Sequence, residues 1–365
     1  MNKDNSEIPN IALQERINFF RRNTLKRKKS FNEDQLSIPV SFWTKNERLL
    51  KEKGKEFTII LRTKGCSWAL SNNGGCSMCG YIEDANLEKV RQELIKNQFS
   101  YALNDKIDEI EKDKYNYILK IFNSGSFFDD SEISSQIRRY IYNKVANIEK
   151  IKEFVIESRV EYVTTEVLLE IKELLPHKYV EIAIGLETIN DYIRNNYINK
   201  GLSMSDFKRV VKLCKKLGIG VKTYLLFKPP FLNEQGAIDD CIVSIKELIN
   251  LKVDSISINP VNIQKGTYLE HLWFQNRYRP PWYYSLFKCL KQSLNEKILN
   301  SVRILSDPSG AGTKRGIHNC LKRNCEENAR KRLRNFVLSQ NLEALEQDKV
   351  ECDCKIKYKL EKDII

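Results

Sequence analysis

The stretch RTKGCSWALSNNGGCSMCGY, residues 62–81, places three cysteines on one loop directly after a short apolar run. Nine residues separate Cys66 from Cys76, and two separate Cys76 from Cys79. A Cys-x-x-Cys turn lets two sulfurs face one metal centre, and the glycines at 74, 75 and 80 relieve backbone crowding there. A structural zinc ion takes four ligands, whereas a [4Fe–4S] cube held by three thiolates keeps one iron open. On the spacing alone, an iron–sulfur cluster and a zinc knuckle with a remote fourth ligand both stay open.

Outward from this loop, apolar runs alternate with amphipathic helical patterns. Most runs are continuously apolar, which is typical of parallel strands covered on both faces. The predicted strands are 57–61, 118–122, 154–157, 180–184, 221–227 and 255–258, with a less regular seventh at 302–305. The predicted helices are 132–145, 164–175, 205–217, 234–251 and, in the tail, 326–347.

Six strand-then-helix repeats indicate an α/β fold, namely a partial (β/α)6-type TIM barrel. In such a barrel the functional groups collect at the carboxyl ends of the strands. A doubly wound open sheet is the alternative, although no Gly-x-Gly-x-x-Gly follows the first strand. We predict a basic N-terminal extension over 1–50, the barrel over 51–308, and a basic, cysteine-bearing C-terminal region with a metal site over 309–365.

The charge and the apolar content narrow the class of protein. The 365 residues carry 61 Lys and Arg against 48 Asp and Glu, a net charge of +13. This excess favours a polyanionic partner, and it is concentrated in two blocks, over 21–29 and 314–334. With 41% hydrophobic residues the chain can bury a large core, and it has no apolar run long enough to span a membrane. Its polar N-terminus lacks the apolar region of a secretory signal, so we expect a cytoplasmic protein with reduced thiols.

Polar side chains end three of the later predicted strands. The second strand runs into Ser124, Gly125 and Ser126, the third ends at Glu157 with Arg159 just beyond, and the fourth is followed by Glu187. Because the carboxyl ends of parallel strands share one face of a barrel, we expect these residues to surround one ligand. A carboxylate accepts hydrogen bonds from ribose hydroxyls, and a guanidinium pairs with a carboxylate through two N–H groups.

The loop, its place after the first strand and the β/α repeats resemble the radical-SAM superfamily. Most of its members have three residues between the first two cysteines, whereas this chain has nine. The resemblance implies that Cys66, Cys76 and Cys79 hold a [4Fe–4S] cluster whose open iron binds S-adenosylmethionine. The cluster then cleaves this cofactor to a 5′-deoxyadenosyl radical. The cofactor contacts implied are Ser124, Gly125, Ser126, Glu157, Arg159 and Glu187.

The nine-residue spacing, the segment FNSGSFFD (122–129) and the tail resemble a narrower family, the archaeosine-biosynthesis radical-SAM subunit of archaea. This resemblance implies an activity on tRNA. A partner enzyme attaches lysine to 7-cyano-7-deazaguanine, and the radical-SAM subunit breaks a C–N bond of the adduct to leave archaeosine. The partners implied are tRNA, the lysine-transferring enzyme, and an electron donor such as ferredoxin or flavodoxin. Asp129, Lys222, Tyr224, Lys228 and Asn259 are candidates to hold the lysine head group.

Two other functions stay open on the sequence. One is an elongator-like or methylthiotransferase-like radical-SAM enzyme that acts on tRNA, although no additional domain of either kind is visible. The other is a non-catalytic, zinc-dependent RNA-binding protein.

The tail carries a second cysteine group. Cys320, Cys325, Cys352 and Cys354 flank a predicted helix, and His318 lies two residues before the first of them. Four sulfurs, or three with His318, would complete a tetrahedral zinc site if the chain folds back on itself. We predict zinc; an auxiliary iron–sulfur cluster and unpaired thiols are the alternatives.

Overall fold

The computed structural model describes residues 11–346 and 352–364, and one eight-stranded sheet forms its centre. The strands are β1 (Ser41–Arg48), β2 (Lys53–Leu61), β3 (Tyr117–Asn123), β4 (Ile151–Glu157), β5 (Tyr179–Glu187), β6 (Gly220–Phe227), β7 (Ser255–Pro260) and β8 (Arg303–Leu305). They lie in the sheet in chain order, and β2 to β8 are parallel. A doubly wound sheet would reverse its order at a switch point. The barrel-type prediction is therefore confirmed, and the open-sheet alternative is wrong.

Helices follow the strands, and a continuous apolar core lies between the two layers. In the described ranges the helices are α1 (Ile11–Arg27), α2 (Glu33–Ser37), α3 (Ser67–Leu70), α4 (Gln92–Lys112), α5 (Ser135–Ala146), α6 (Thr165–Leu174), α7 (Met204–Lys216), α8 (Glu234–Asn250), α9 (Tyr268–Phe274), α10 (Tyr283–Ser293), α11 (Glu296–Leu299), α12 (Arg323–Ser339) and α13 (Cys354–Glu361). None of these helices has the length and apolar character needed to cross a membrane.

Two elements differ from the sequence prediction. Strand β1 pairs antiparallel with β2, so the sheet contains a strand from the segment predicted as a basic extension. The predicted helix 326–347 is shorter, because Gln340 takes a left-handed conformation (φ 53°) that ends α12 at Ser339. Residue 347 lies outside the described residues, and the division into three domains stays a prediction.

Buried ion pairs cross the inside of the curled sheet. On β8, the Arg303 guanidinium pairs with Glu153 of β4 (2.6 Å) and with Glu181 of β5, neither of which is on a neighbouring strand. Lys120 of β3 lies between Glu56 of the neighbouring β2 and Glu47 of β1 (2.6 Å), one strand further away. These pairs hold the strands in a curl, which brings the carboxyl ends of β2 to β7 together around one opening, called the mouth below.

Candidate functional site at the mouth of the barrel

The three-cysteine loop is attached to the mouth at its first cysteine. The Cys66 backbone N–H donates to the Ser124 carbonyl at the end of β3 (3.1 Å), and the short helix α3 starts at the next residue. The loop therefore begins against the segment that carries three of the predicted cofactor contacts, 124–126.

The chain after β5 supports the second half of the loop. The Asn199 side-chain amide donates to the carbonyls of Asn73 and Gly75, both at 2.8 Å. Ser77 is held by its backbone N–H, which donates to Ile198 O, and by its hydroxyl, which donates to Tyr197 O, again at 2.8 Å. Residues 193–197 form one turn of π-helix, a rare geometry that is frequent at functional sites.

Helix α1 packs against the outer side of the three-cysteine loop and donates hydrogen bonds to it. Arg21 is buried, and its guanidinium donates to the carbonyls of Gly74 (2.9 Å) and Cys79 (2.8 Å). Gly74 needs a positive φ (73°), and an added Cβ there would lie 2.3 Å from the Asn18 side chain. The sequence analysis did not predict that α1 supports the loop. An arginine within a run of basic residues looks the same in the sequence whether it is buried in a contact or exposed to solvent.

The three loop thiols are partly buried and electrostatically linked. Burial raises the pKa of Cys66 and raises that of Cys76 to about 12, and the neighbouring Cys79 adds to both shifts. Thiols of this kind ionise when a metal displaces their protons. Among the described residues, the loop thiols do not form a group whose ligand atoms all lie within 4.8 Å of one another. A single zinc ion needs such closeness, whereas a cube places each thiolate on its own iron. Three thiolates on one loop match the donor set of a [4Fe–4S] cluster that keeps one iron open.

A small cleft opens beside the loop, where the Arg159 guanidinium lies 5.2 Å from the Trp68 ring centroid. Three of the predicted cofactor contacts line it, namely Gly125, Glu157 and Arg159. Burial raises the pKa of Glu157 to about 7, with Lys200 opposing the shift and Glu187 adding to it. The Arg159 guanidinium donates to the carbonyls of Lys200 (3.0 Å) and Gly201 (3.1 Å), which fixes its plane at the edge of the cleft.

The remaining predicted contacts lie at the rim of the cleft or just beneath it. Ser126 is buried, and its hydroxyl accepts from the Arg159 backbone N–H (3.1 Å). The Ser124 carbonyl accepts the hydrogen bond from the Cys66 backbone N–H. Glu187 is held in a left-handed conformation (φ 71°) at the end of β5, and it pairs with Lys200 at 2.8 Å. An acidic residue at a positive φ is uncommon and is a sign of constraint at a functional site.

Sequence reasoning missed two charged residues of this site, Lys200 and Glu132. Burial opposes the charge of Lys200, but the Glu187 carboxylate and the Cys76 thiol hold its pKa above the ordinary value. The Glu132 carboxylate accepts from Thr63 (2.6 Å), Asn123 (2.7 Å) and the Ser126 backbone N–H (2.8 Å), so it joins the ends of β2 and β3. A Cβ at Gly125 would lie 1.8 Å from this carboxylate, which explains the glycine. Neither residue stands in a motif of the sequence.

The four tail cysteines come together at one point. The Sγ atoms of Cys320 and Cys352 are 3.7 Å apart, those of Cys325 and Cys354 are 3.9 Å apart, and all four lie within 4.8 Å of one another. Tetrahedral zinc, with Zn–S bonds of about 2.3 Å, requires sulfur separations of about 3.8 Å. The Glu326 carboxylate accepts from the backbone N–H groups of three successive residues, 319–321, and so shapes the turn.

His318 and three basic residues have structural positions of their own. His318 lies outside the sulfur group; its Nδ1 is 2.8 Å from Gly316 O, and burial lowers its pKa to about 4. Arg332 is buried and donates to Leu345 O, so it and Arg21 are not exposed cations of the basic blocks. Lys228 forms a buried ion pair with Glu234 (2.7 Å), and its selection as a contact to the lysine head group stays a prediction.

Comparison with known proteins places this geometry in context. The family model described as the Radical SAM superfamily matches residues 60–240. The chain is 37% identical over 321 residues to an archaeosine synthase subunit beta of Methanosarcina acetivorans, covering 88% of this chain and 89% of the relative. It is 38% identical over 326 residues to that of Thermococcus kodakarensis, covering 89% and 98%. It is also 38% identical over 353 residues to an uncharacterized protein of Methanocaldococcus jannaschii, covering 96% and 93%.

Proposed function

The chain belongs to the radical SAM superfamily and, within it, to the family of archaeosine synthase subunit beta, and from this premise we propose its reaction. It cleaves a C–N bond in a lysine adduct of 7-cyano-7-deazaguanine in tRNA, and the product is archaeosine. The observation that carries the proposal is the three-cysteine loop at the mouth of the barrel, beside an open cleft, in a chain so similar to two such subunits.

In this proposal the loop and the cleft hold the two cofactors side by side. Cys66, Cys76 and Cys79 hold the [4Fe–4S] cluster, and three ligands leave one iron free for S-adenosylmethionine. When bound, the cluster and the cofactor together supply the 5′-deoxyadenosyl radical. Arg159 pairs with the cofactor carboxylate, Glu157 accepts from its ribose hydroxyls, and the segment 124–126 with Glu187 meets its amino end.

The protein's own groups prepare the cleft for a cationic sulfonium cofactor. Glu157 and Glu187 place two carboxyl groups near it, and Lys200 neutralises one of them through the 2.8 Å pair. A Cβ at Gly185 would lie 2.6 Å from the Lys200 Nζ and 2.9 Å from the Glu187 Oε1, so a larger residue at this position of β5 would displace the ion pair. The arrangement keeps one carboxyl free to receive the cofactor.

The proposal extends to the partners and to the tail. The exposed cations of α1 and α12 contact the tRNA backbone, which makes binding sensitive to salt. A lysine-transferring enzyme supplies the substrate, and ferredoxin or flavodoxin supplies the electron. The tail sulfurs hold zinc in a closed site that stabilises the fold around it. A cytoplasmic location is part of the same proposal.

The experiment is anaerobic reconstitution with iron, sulfide, S-adenosylmethionine, a reductant and tRNA that carries the lysine adduct. Nucleoside mass spectrometry should show archaeosine together with 5′-deoxyadenosine. Two controls are matched to it, the Cys76→Ala variant and the same tRNA without the lysine. Cofactor cleavage that yields methylthiolated or carboxymethylated nucleosides instead would favour the other tRNA-modifying radical-SAM enzymes. A colourless protein with zinc but no iron would favour the RNA-binding alternative.

A further inference from the structure

A continuous row of aromatic rings lies along one side of the mouth. Neighbouring ring centroids are 4.8 to 6.3 Å apart throughout the row. We call this row the aromatic ridge, and its members are Phe20, His271, Tyr268, Phe231, Tyr197 and Tyr192. It joins α1, α9, the segment after β6 and the π-helical turn after β5. No step of the proposed reaction uses it.

Two members of the aromatic ridge are turned towards solvent. Tyr192 is 47% exposed and Phe231 is 45% exposed. Phe231 follows two prolines and has a φ of 70°, a region that bulky residues rarely occupy. Packing in a core would offset the strain of such a backbone conformation, but almost half of the Phe231 side chain remains exposed to solvent. The strained backbone therefore holds this apolar ring where solvent, or a ligand, can reach it.

The aromatic ridge lies next to the cluster loop. Tyr268 belongs to an apolar cluster against which Cys76, Met78 and Phe20 pack. The Tyr197 carbonyl accepts the Ser77 hydroxyl at 2.8 Å. A macromolecule that places one group in the mouth thus contacts the aromatic ridge with the parts on either side of that group.

The charge beside the aromatic ridge selects the class of macromolecule. On α1, the helix that carries Phe20, the exposed cations are Arg16, Arg22, Lys26 and Arg27, and Glu15 is the acidic residue among them. Aromatic faces interleaved with cations are the combination that binds unpaired nucleic acid, because every base has a stacking face and every phosphate a charge. A protein partner would require a broader apolar surface than a single row of rings.

We propose that the aromatic ridge stacks the unpaired bases that flank the modified nucleotide of tRNA. The inference rests on the proposed function. An enzyme that acts on a base within folded RNA must extrude it, which leaves its neighbours without their stacking partner. The rings of Phe231 and Tyr192 replace that partner beside the mouth, and the cations of α1 hold the adjoining phosphates.

The test measures tRNA affinity of the cluster-loaded protein at several salt concentrations. Phe231→Ala and Tyr192→Ala should each weaken binding by about 5- to 100-fold, with the salt dependence unchanged, because stacking involves no counterions. Arg22→Gln should instead reduce the salt slope by about one unit. Tyr101→Ala is the matched control, since Tyr101 is 52% exposed on α4 and packs against Phe42 of β1. Phe231→Tyr keeps the ring and should retain wild-type affinity.

Each other outcome decides against the proposal in a different way. Unchanged tRNA affinity in both alanine variants, with archaeosine still formed, would overturn the aromatic ridge as a base platform and leave the proposed function intact. Unchanged affinity with slower reduction of the cluster by flavodoxin would assign the ridge to a protein partner. A wild-type protein that does not bind tRNA would overturn both proposals.

Discussion

The two cysteine groups of this protein differ in the spacing of their sulfur atoms, and this difference underlies the different chemistry that we propose for each. In the tail, four sulfurs lie within 4.8 Å of one another, with two pairs at 3.7 and 3.9 Å. In the loop, Cys66, Cys76 and Cys79 form no such tight group and lie beside an open cleft. Four sulfurs fill all the coordination positions of a tetrahedral metal ion, so no further ligand can bind to it. Three sulfurs leave one iron of a cluster with a free coordination position.

The two cysteine groups also differ in the residues that surround them. The tail sulfurs pack with Trp282 and Tyr358, and the Tyr284 hydroxyl lies 3.3 Å from the Cys354 sulfur. The loop is instead held through its backbone, by Arg21 on one side and Asn199 on the other. These surroundings agree with the proposal of a permanently occupied metal site in the tail and of a rigidly held cluster in the loop, where ligands exchange beside it.

The largest effect expected is that of Cys76→Ala in the loop. It removes one of three ligands that have no substitute, so cofactor cleavage should fall to background and bound iron should be lost. Cys241→Ala is the matched control, because Cys241 is buried in the core of α8 and should keep both properties. The readouts are 5′-deoxyadenosine formation and iron content. If Cys76→Ala kept the wild-type iron content and the wild-type rate of cofactor cleavage, the loop would not hold the cluster.

The next effect is that of the tail double variant Cys352→Ser with Cys354→Ser. Metal binding contributes directly to folding in such sites, so zinc should be lost and the tail should become sensitive to protease. Cofactor cleavage without tRNA should stay within a few-fold of wild type, because the cleft lies at the strand ends. A loss of iron instead of zinc would mean that the tail carries an iron–sulfur cluster, and the proposed difference between the loop and the tail would be wrong.

Arg21 gives a smaller effect that separates loop support from metal ligation. Arg21→Met should leave the carbonyls of Gly74 and Cys79 without donors, at a cost of about 3 kcal/mol in unfolding free energy. Iron should be released faster to a chelator while zinc is retained. Arg22→Met on the same helix is exposed and should change neither rate. Equal iron release from the two variants would show that α1 does not stabilise the loop.

The smallest effect is the pH dependence that Glu157 contributes. Its pKa is raised to about 7 in the folded protein, so its contribution to stability is present at low pH and is lost as the pH rises towards 7. The unfolding free energy of the metal-free protein should therefore fall between pH 5 and 7, by on the order of 1 kcal/mol from this group. Glu157→Gln should remove that part of the slope, measured by chemical denaturation. An unchanged slope would place Glu157 in contact with solvent.

The sequence predicted the parallel strands well, because their continuous apolar runs are local patterns. Observed β3, for example, extends the prediction 118–122 by one residue at each end. Strand β1 was missed because it is partly exposed and mixes charged residues with its aromatic ones, FWTKN over 42–46. The cysteines were found because their spacing is itself the signal.

The supporting residues of the site could not be found in the same way. Glu132, Lys200 and Arg21 act through partners that lie 6 to 69 residues away along the chain, and only the folded barrel brings these partners together. The same reason applies to Lys228, because its ion pair with the buried Glu234 carries no signal in the sequence. Residue type marks chemistry, but burial decides whether a charge is structural or free to meet a ligand.

The central claim, that the loop holds an open cluster and the tail holds a closed zinc site, is tested most directly by counting metals. Anaerobically reconstituted wild-type protein should contain about four iron atoms and about one zinc per chain. The variant with Cys66, Cys76 and Cys79 all changed to Ala should keep the zinc and lose the iron. Iron that persists in this variant, or a wild type that holds iron beyond one cube and no zinc, would contradict the account.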